Sequence, residues 1–160
     1  MAIRNIVKVG DEILTKKCRP VTEYGPRLWL LLDDMRDTLT AAQGAGLAGP
    51  QVGILRRVAL VMQEDGRFLE IINPEIIDRE GEQDGPEGCL SVPGKYGMVK
   101  RPMKVTVKFQ DRNGKWNIRS AQGFTARAFC HEIDHLDGQL YTELVSRYLE
   151  PEELGGGDGE

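Results

Sequence analysis

His131, Glu132 and His135 make the densest group of reactive side chains in the sequence, the run HEIDH at 131–135. Four residues of α-helix turn the chain by roughly 400°, so histidines at i and i+4 stand within roughly 40° of each other, one turn apart. They can then share one metal ion. Glu132 projects beside them, where a carboxylate accepts a proton from metal-bound water rather than ligating the ion. The chain has only two histidines, and both fall in this run. The plainer alternative, two incidental histidines beside a solvated glutamate, leaves that concentration unexplained.

A catalytic metal commonly keeps three protein ligands and one open position, so a third donor must come from elsewhere. It cannot be a histidine. Metzincin-type proteases place their third histidine six residues after the second, and Tyr141 stands there. Thermolysin-like proteases draw a glutamate from a later helix; Glu143, Glu150, Glu152 and Glu153 follow, with little chain left to build that helix. Cys89, in EGCLS at 87–91, is the better candidate, because its thiolate would complete a Cys-His-His site. Taken without HEIDH, it would read as a small buried hydrophobe, as free cysteines often are.

A third element is GAGLAGPQVG at 44–53. Its glycines let the backbone bend and approach a ligand closely, and Gln51 could donate its amide to a developing oxyanion. As a phosphate loop it fails, lacking the Lys-Ser/Thr pair and following a helix rather than a strand. By itself it could equally be a helix stop and turn.

The elements that must position these groups show in the hydrophobic pattern. Pro26 suits a first helical position, and Leu28, Leu31, Leu32, Met35, Leu39 and Ala42 recur at helical spacing until Gly44, predicting an amphipathic helix over about 26–43. RVALVM and FLEIIN, split by Glu64, Asp65 and Gly66, predict a hairpin, and Asn113-Gly114 predicts another between Val105–Phe109 and Trp116–Ile118. A short helix over about 124–136, apolar on most sides, belongs inside. The expected fold is α+β, with antiparallel or mixed β-sheets surrounding a buried helix that bears the HEXXH pattern, and an N-terminal amphipathic helix.

With 160 residues the chain suits one domain, expected over 1–150, and the acidic, Gly-rich end at 151–160 reads as a flexible tail. A net charge of −4 with scattered basic residues argues against a nucleic-acid surface. The start lacks the apolar core of a secretory signal, and no apolar run is long enough to span a membrane. Cys18, Cys89 and Cys130, odd in number and widely spaced, suit a reducing compartment better than a disulfide framework. A soluble, cytoplasmic protein is expected. Cys130 directly precedes His131 and points about 100° away from it, so it is not expected to be a ligand. Cys18 receives no role.

GAGLAGPQ, EGCLS and HEIDHLDG, in this order and with these gaps, resemble the three signature motifs of peptide deformylases, and the resemblance runs from about Ile3 to Val145. It implies an enzyme that removes the formyl group from N-terminal formylmethionine of nascent polypeptides and releases formate. It implies one divalent metal ion on Cys89, His131 and His135, best known in the family as Fe2+, with Ni2+, Co2+ or Zn2+ also able to occupy the site. Water would be activated by the metal and Glu132, and the oxyanion met by the Gln51 amide and the Leu90 N–H. The peptide would lie along Gly44, Ala45, Gly46 and Leu47, with the methionine side chain against Ala45, Phe124, Ala128 and the carbon stem of Arg127. Arg101, Glu87 and Asp134 would form a charged shell around the ligands. The sequence departs from the family pattern in three places: Ala45 stands where a larger aliphatic residue is common, Gly49 replaces a common alanine and should loosen the loop, and Cys130 takes a place often held by glutamine. The implied partners are nascent chains, with transient ribosome proximity, no direct nucleic-acid binding, no membrane, and a monomeric state.

Overall fold

The computed structural model describes residues 2–154. Two helices and eight strands follow in the order α1 (Pro26–Ala42), β1 (Gly46–Ala48), β2 (Val58–Met62), β3 (Phe68–Glu80), β4 (Gln83–Cys89), β5 (Val92–Arg101), β6 (Lys104–Gln110), β7 (Trp116–Gln122), α2 (Phe124–Leu136) and β8 (Arg147–Tyr148). They form an α+β fold with two antiparallel sheets, one of order β1-β2-β3-β6-β7 and one of order β4-β5-β8.

The first sheet has apolar material on both faces where β2 crosses it. Val58 and Leu60 pack with Leu28, Leu31, Leu32, Met35 and Leu39 of α1, whereas Ala59 and Val61 pack with Ala126, Phe129, Ile133 and Leu136 of α2. Successive strand residues face opposite sides. A strand covered twice therefore reads as the continuous apolar run VALV rather than as an alternation. β1 repeats the division, with Leu47 toward α1 and Ala48 toward α2. β1 and β2 are thus clamped between two helices.

Helix α1 begins at Gly25 with Pro26 in its first turn, but Gly44 does not end it. Gln43 takes the left-handed conformation at φ 58, and its N–H closes on Leu39 and Thr40 carbonyls. Gly44 is used differently, since a Cβ there would lie 2.8 Å from Leu90 Cδ1. On α1 the buried Asp34 and Thr38 receive the N-terminal segment, through Ala2 N–H to Asp34 and Arg4 N–H to Thr38.

The pairing of β2 with β3 and of β6 with β7 puts turns at 63–67 and 111–115. The β4-β5-β8 sheet has no counterpart in the sequence reading. Gly85, Pro86, Gly88, Pro93, Gly94 and Gly97 interrupt its strands and hide the period-two pattern. Of the segment read as a flexible tail, Pro151–Leu154 forms a 3-10 turn in which Glu153 accepts from Arg147 and from the Glu150 N–H, while 155–160 lie outside the described residues. Among the described residues no helix is long and apolar enough to cross a membrane.

Candidate metal centre and active site

Three elements converge on HEIDH. Helix α2 supplies His131, Glu132 and His135, all buried; the end of β4 brings Cys89; and the 3-10 turn after β1 brings Gln51. One donor atom from each of Cys89, His131 and His135 lies within 4.8 Å of the others. Cys89 Sγ stands 3.2 Å from His135 Nε2, and the imidazole rings are 5.0 Å apart at 69°.

The ring of His131 is aimed from behind. Its Nδ1 meets Glu87 Oε1 at 2.9 Å, which leaves Nε2 as the nitrogen that serves the cluster with Cys89. A carboxylate behind a ligating histidine sets its tautomer and raises its basicity. Glu87 is itself held by Arg101 at 2.7 and 2.9 Å and by Arg127 at 2.8 Å, and Arg101 reaches on to Asp134 at 2.7 Å. Burial pushes the Glu87 carboxyl up, but hydrogen bonds from Arg101 and His131 outweigh it and hold the group well below the usual carboxylate range. Two cations matched to two carboxylates make this buried cluster tolerable. The charged shell expected around the ligands includes Arg127 as well, whose carbon stem alone had been assigned to the pocket.

The two imidazoles diverge electrostatically. Burial alone would lower His131, yet Cys89 and Glu87 raise it well above the ordinary histidine value, whereas burial and the neighbouring His131 drive His135 well below it. Two buried rings this close cannot both be charged, so one cation at a time suits the pair. Burial also pushes Glu132 up to about 7, with Glu87 adding to the shift and His131 opposing it. Its Oε1 and the Nδ1 of His135 are buried without a hydrogen-bond partner. A cysteine sulfur and two imidazoles converging within 4.8 Å, with a buried, unpartnered carboxylate oxygen on the same helix, fit a divalent cation and a polar ligand beside it.

Gly46 explains how Glu132 is seated. A Cβ added there would land on the Glu132 carboxylate, 2.8 Å from Cδ and 2.9 Å from Cγ. The glycine expected to bend the chain instead lets strand and carboxylate approach closely. Gly46→Ala is therefore expected to keep the fold, since the displaced atoms end a flexible side chain, and to lower kcat about 10²-fold by moving them. Steady-state kinetics beside a thermal melt measures both. Gly49 departs from expectation too. It is buried, with a would-be Cβ 2.7 Å from the Ile54 and Arg56 carbonyl oxygens, so the loop is tight there rather than loosened.

Gln51 has its amide direction set: Oε1 accepts from Ala48 N–H at 2.9 Å, and Nε2 donates toward Ser91 Oγ at 3.1 Å and Cys89 Sγ at 3.5 Å. Leu90 sits in the turn after Cys89 and packs with the α1 cluster. The residues named for the methionine pocket are less uniform. Ala45 is half-buried, Ala128 is buried and Phe124 is 61% exposed, while Arg127 also bonds the Val99 carbonyl at 2.9 Å. A groove of about 320 Å³ between the β2–β3 turn and β7 is lined by Thr125 and Phe129 of α2, and by none of those four. Cys130, on α2, and Cys18 are packed in the same core cluster, and burial pushes both thiols up to about 11.

A helix bearing His-Glu-x-x-His, completed by a donor from a separate strand, defines a metal-dependent hydrolase. The chain matches the family model described as Polypeptide deformylase over residues 3–150. It is 52% identical over 156 residues to the peptide deformylase of Caldanaerobacter subterraneus subsp. tengcongensis, covering 98% of each chain. Among solved structures, the peptide deformylase of Legionella pneumophila superposes with a TM-score of 0.86 at 41% identity, covering 95% of this chain and 89% of that one. That of Thermotoga maritima gives 0.88 at 33% identity, covering 91% and 99%. The chain belongs to the polypeptide deformylase family, whose members depend on a metal. Its reaction is hydrolysis of the formyl group on N-terminal formylmethionine of nascent polypeptides.

Proposed function

We propose that Cys89, His131 and His135 hold the metal of this deformylase, that Glu132 moves the protons, and that Gln51 and the Leu90 N–H receive the oxyanion. One observation carries the assignment: the buried, unpartnered Oε1 of Glu132 on the same helix as two donors of the Cys-His-His cluster. When bound, the cation supplies Lewis acidity, making water a stronger acid and drawing charge from a carbonyl oxygen. Glu132 takes a proton onto its Oε1 from the attacking water as the water oxygen bonds to the formyl carbon. Charge then grows on the former carbonyl oxygen, toward the Gln51 amide and the Leu90 N–H. Glu132 returns its proton to the methionine nitrogen, the carbon–nitrogen bond breaks, and formate and a free amine leave.

β1 is an edge strand of its sheet, so its outer side offers main-chain groups to an extended peptide. We place the substrate there, along Gly44–Leu47, with the methionine side chain toward Ala45, Phe124, Ala128 and the stem of Arg127. Main-chain pairing is indifferent to side chains, which suits an enzyme that must accept many nascent chains. The helix-borne site and the N-terminal helix belong to one catalytic domain over 1–150, acting as a cytoplasmic monomer near the ribosome without holding nucleic acid. We take Fe2+ as the resident ion, with Ni2+, Co2+ and Zn2+ as substitutes; anaerobic purification followed by metal analysis tests this, because air can oxidise both the ion and its thiolate.

The decisive assay compares formyl-Met and acetyl-Met versions of one peptide. We expect formate and a free N-terminus from the first at least about 10²-fold faster than release from the second, since the extra methyl crowds the attacked carbon. A peptidase sharing HEXXH would cut internal bonds. Equal rates on both peptides, or internal cleavage only, would refute the assignment.

A further inference from the structure

Ser91 has no role in the scheme above, yet its exposure is 0% and its side chain abuts the site. Its hydroxyl oxygen accepts from Gln51 Nε2 at 3.1 Å. The opposite end of the same amide is also occupied, since Gln51 Oε1 accepts from the Ala48 N–H at 2.9 Å. A glutamine amide carries two hydrogens on Nε2 and turns easily about its last torsion. With the oxygen tied to main chain and one hydrogen given to Ser91, the second hydrogen has a single direction left. Cys89 Sγ lies 3.5 Å away on that side. The remaining hydrogen is therefore directed to Cys89 Sγ, at the edge of the Cys-His-His cluster, where the proposed mechanism brings the substrate oxygen.

Ser91 is itself secured by a part of the chain far from the motifs. The Val7 N–H donates to the Gln51 carbonyl at 2.7 Å, and the Val9 N–H donates to the Ser91 carbonyl at 2.8 Å. One short stretch of N-terminal main chain thus ties the turn holding Gln51 to the turn holding Ser91. The first turn follows a strand of the five-stranded sheet and the second joins two strands of the other, so this tie spans the seam between the sheets.

We propose that Ser91 is a positioning residue of the deformylase reaction: its buried hydroxyl takes one hydrogen of the Gln51 amide and so aims the other at the substrate oxygen. This rests on the reading of Gln51 as an oxyanion donor. A donor held in advance costs no reorganisation when charge develops, whereas one free to swing does.

A double-mutant cycle on the metal-loaded enzyme tests this, using Ser91→Ala, Gln51→Ala and the pair, with formyl-Met peptide as substrate. Gln51→Ala is expected to lower kcat about 10²-fold, as loss of an oxyanion donor does. Ser91→Ala should lower kcat about tenfold with KM within about twofold, because the lost interaction forms in the transition state. In the Gln51→Ala background, Ser91→Ala should change kcat by less than about twofold, since its target is gone. Melting temperature and metal content are read for each variant. Ser91→Gly, which also removes the hydroxyl and adds no atom, serves as the second probe should the alanine variant not fold. Full kcat in Gln51→Ala would overturn the oxyanion role itself. Slow Gln51→Ala beside a Ser91→Ala variant at full speed would overturn the Ser91 proposal alone, as would equal fold losses in both backgrounds or a loss carried by KM.

Discussion

Glu132→Gln should stop turnover, by roughly 10²- to 10⁴-fold in kcat, while the ion stays bound and the fold survives. The carboxylate is not needed to hold the metal, because Cys89, His131 and His135 supply the converging donors. On the proposed mechanism it is needed as a proton carrier, and the isosteric amide cannot accept and return one. The same substitution has a second signature. Buried Glu132 is raised to about 7, against roughly 4.3 in an unfolded chain, so the folded protein binds its proton more tightly. A carboxyl raised in this way stabilises the fold fully below the unfolded value and loses that contribution as pH climbs from about 4.3 to about 7. In chelator-treated protein the melting temperature of the variant should therefore gain on the wild type across that window and keep a constant lead above it. Parallel curves would show that the carboxylate is not penalised by burial. Undiminished turnover would remove Glu132 from the mechanism.

Cys89→Ala should abolish metal loading and, with it, activity. A site of two imidazoles and a thiolate loses its only anionic donor, and the two rings left behind already oppose each other's charge, with His135 driven low by burial and by His131. The cost to folding should be modest, because Cys89 is only partly buried, at the margin of the small cluster of Val92, Val99 and Tyr141. Adding divalent metal to chelator-treated protein should raise the melting temperature of the wild type, since an ion that binds only the folded form stabilises it, and should leave the variant unmoved. Metal analysis after gel filtration checks the same point. A variant retaining a full complement of metal would place the third ligand elsewhere.

What the sequence made legible was what is local. HEIDH needs only helical periodicity to bring its histidines together, and the apolar pattern of 124–136 supplies it. The two hairpins are written in tight turns flanked by β-rich runs. Cys89 could be proposed as third ligand because few other donors remained, and three motifs in order carried the family likeness. Strand order was not legible, since nothing in VALVM says which neighbours it takes. The β4-β5-β8 sheet was missed because its glycines and prolines read as loop. The family resemblance offers the carbon stem of Arg127 to the methionine pocket, and no resemblance of motifs reveals that Glu87, forty positions earlier, claims its guanidinium. The glycines of 44–49 read as room to bend and to approach a ligand, whereas Gly46 makes room for Glu132, far along the chain, and Gly49 for the Ile54 and Arg56 carbonyls. Ser91 sat inside a recognised motif, but its partner Gln51 lies in another. Only the folded chain introduces them.

The bond between Cys89 and His135 joins positions 46 apart, and the donors come from a strand of one sheet and a helix packed on the other. Early in folding, α2 by itself offers a cation no more than a pair of rings, a weak and unselective grip. The three donors stand together only where both sheets are docked, so an ion held by all three would bind the assembled fold and not its parts. A nascent deformylase would acquire its reactivity only after its architecture is finished.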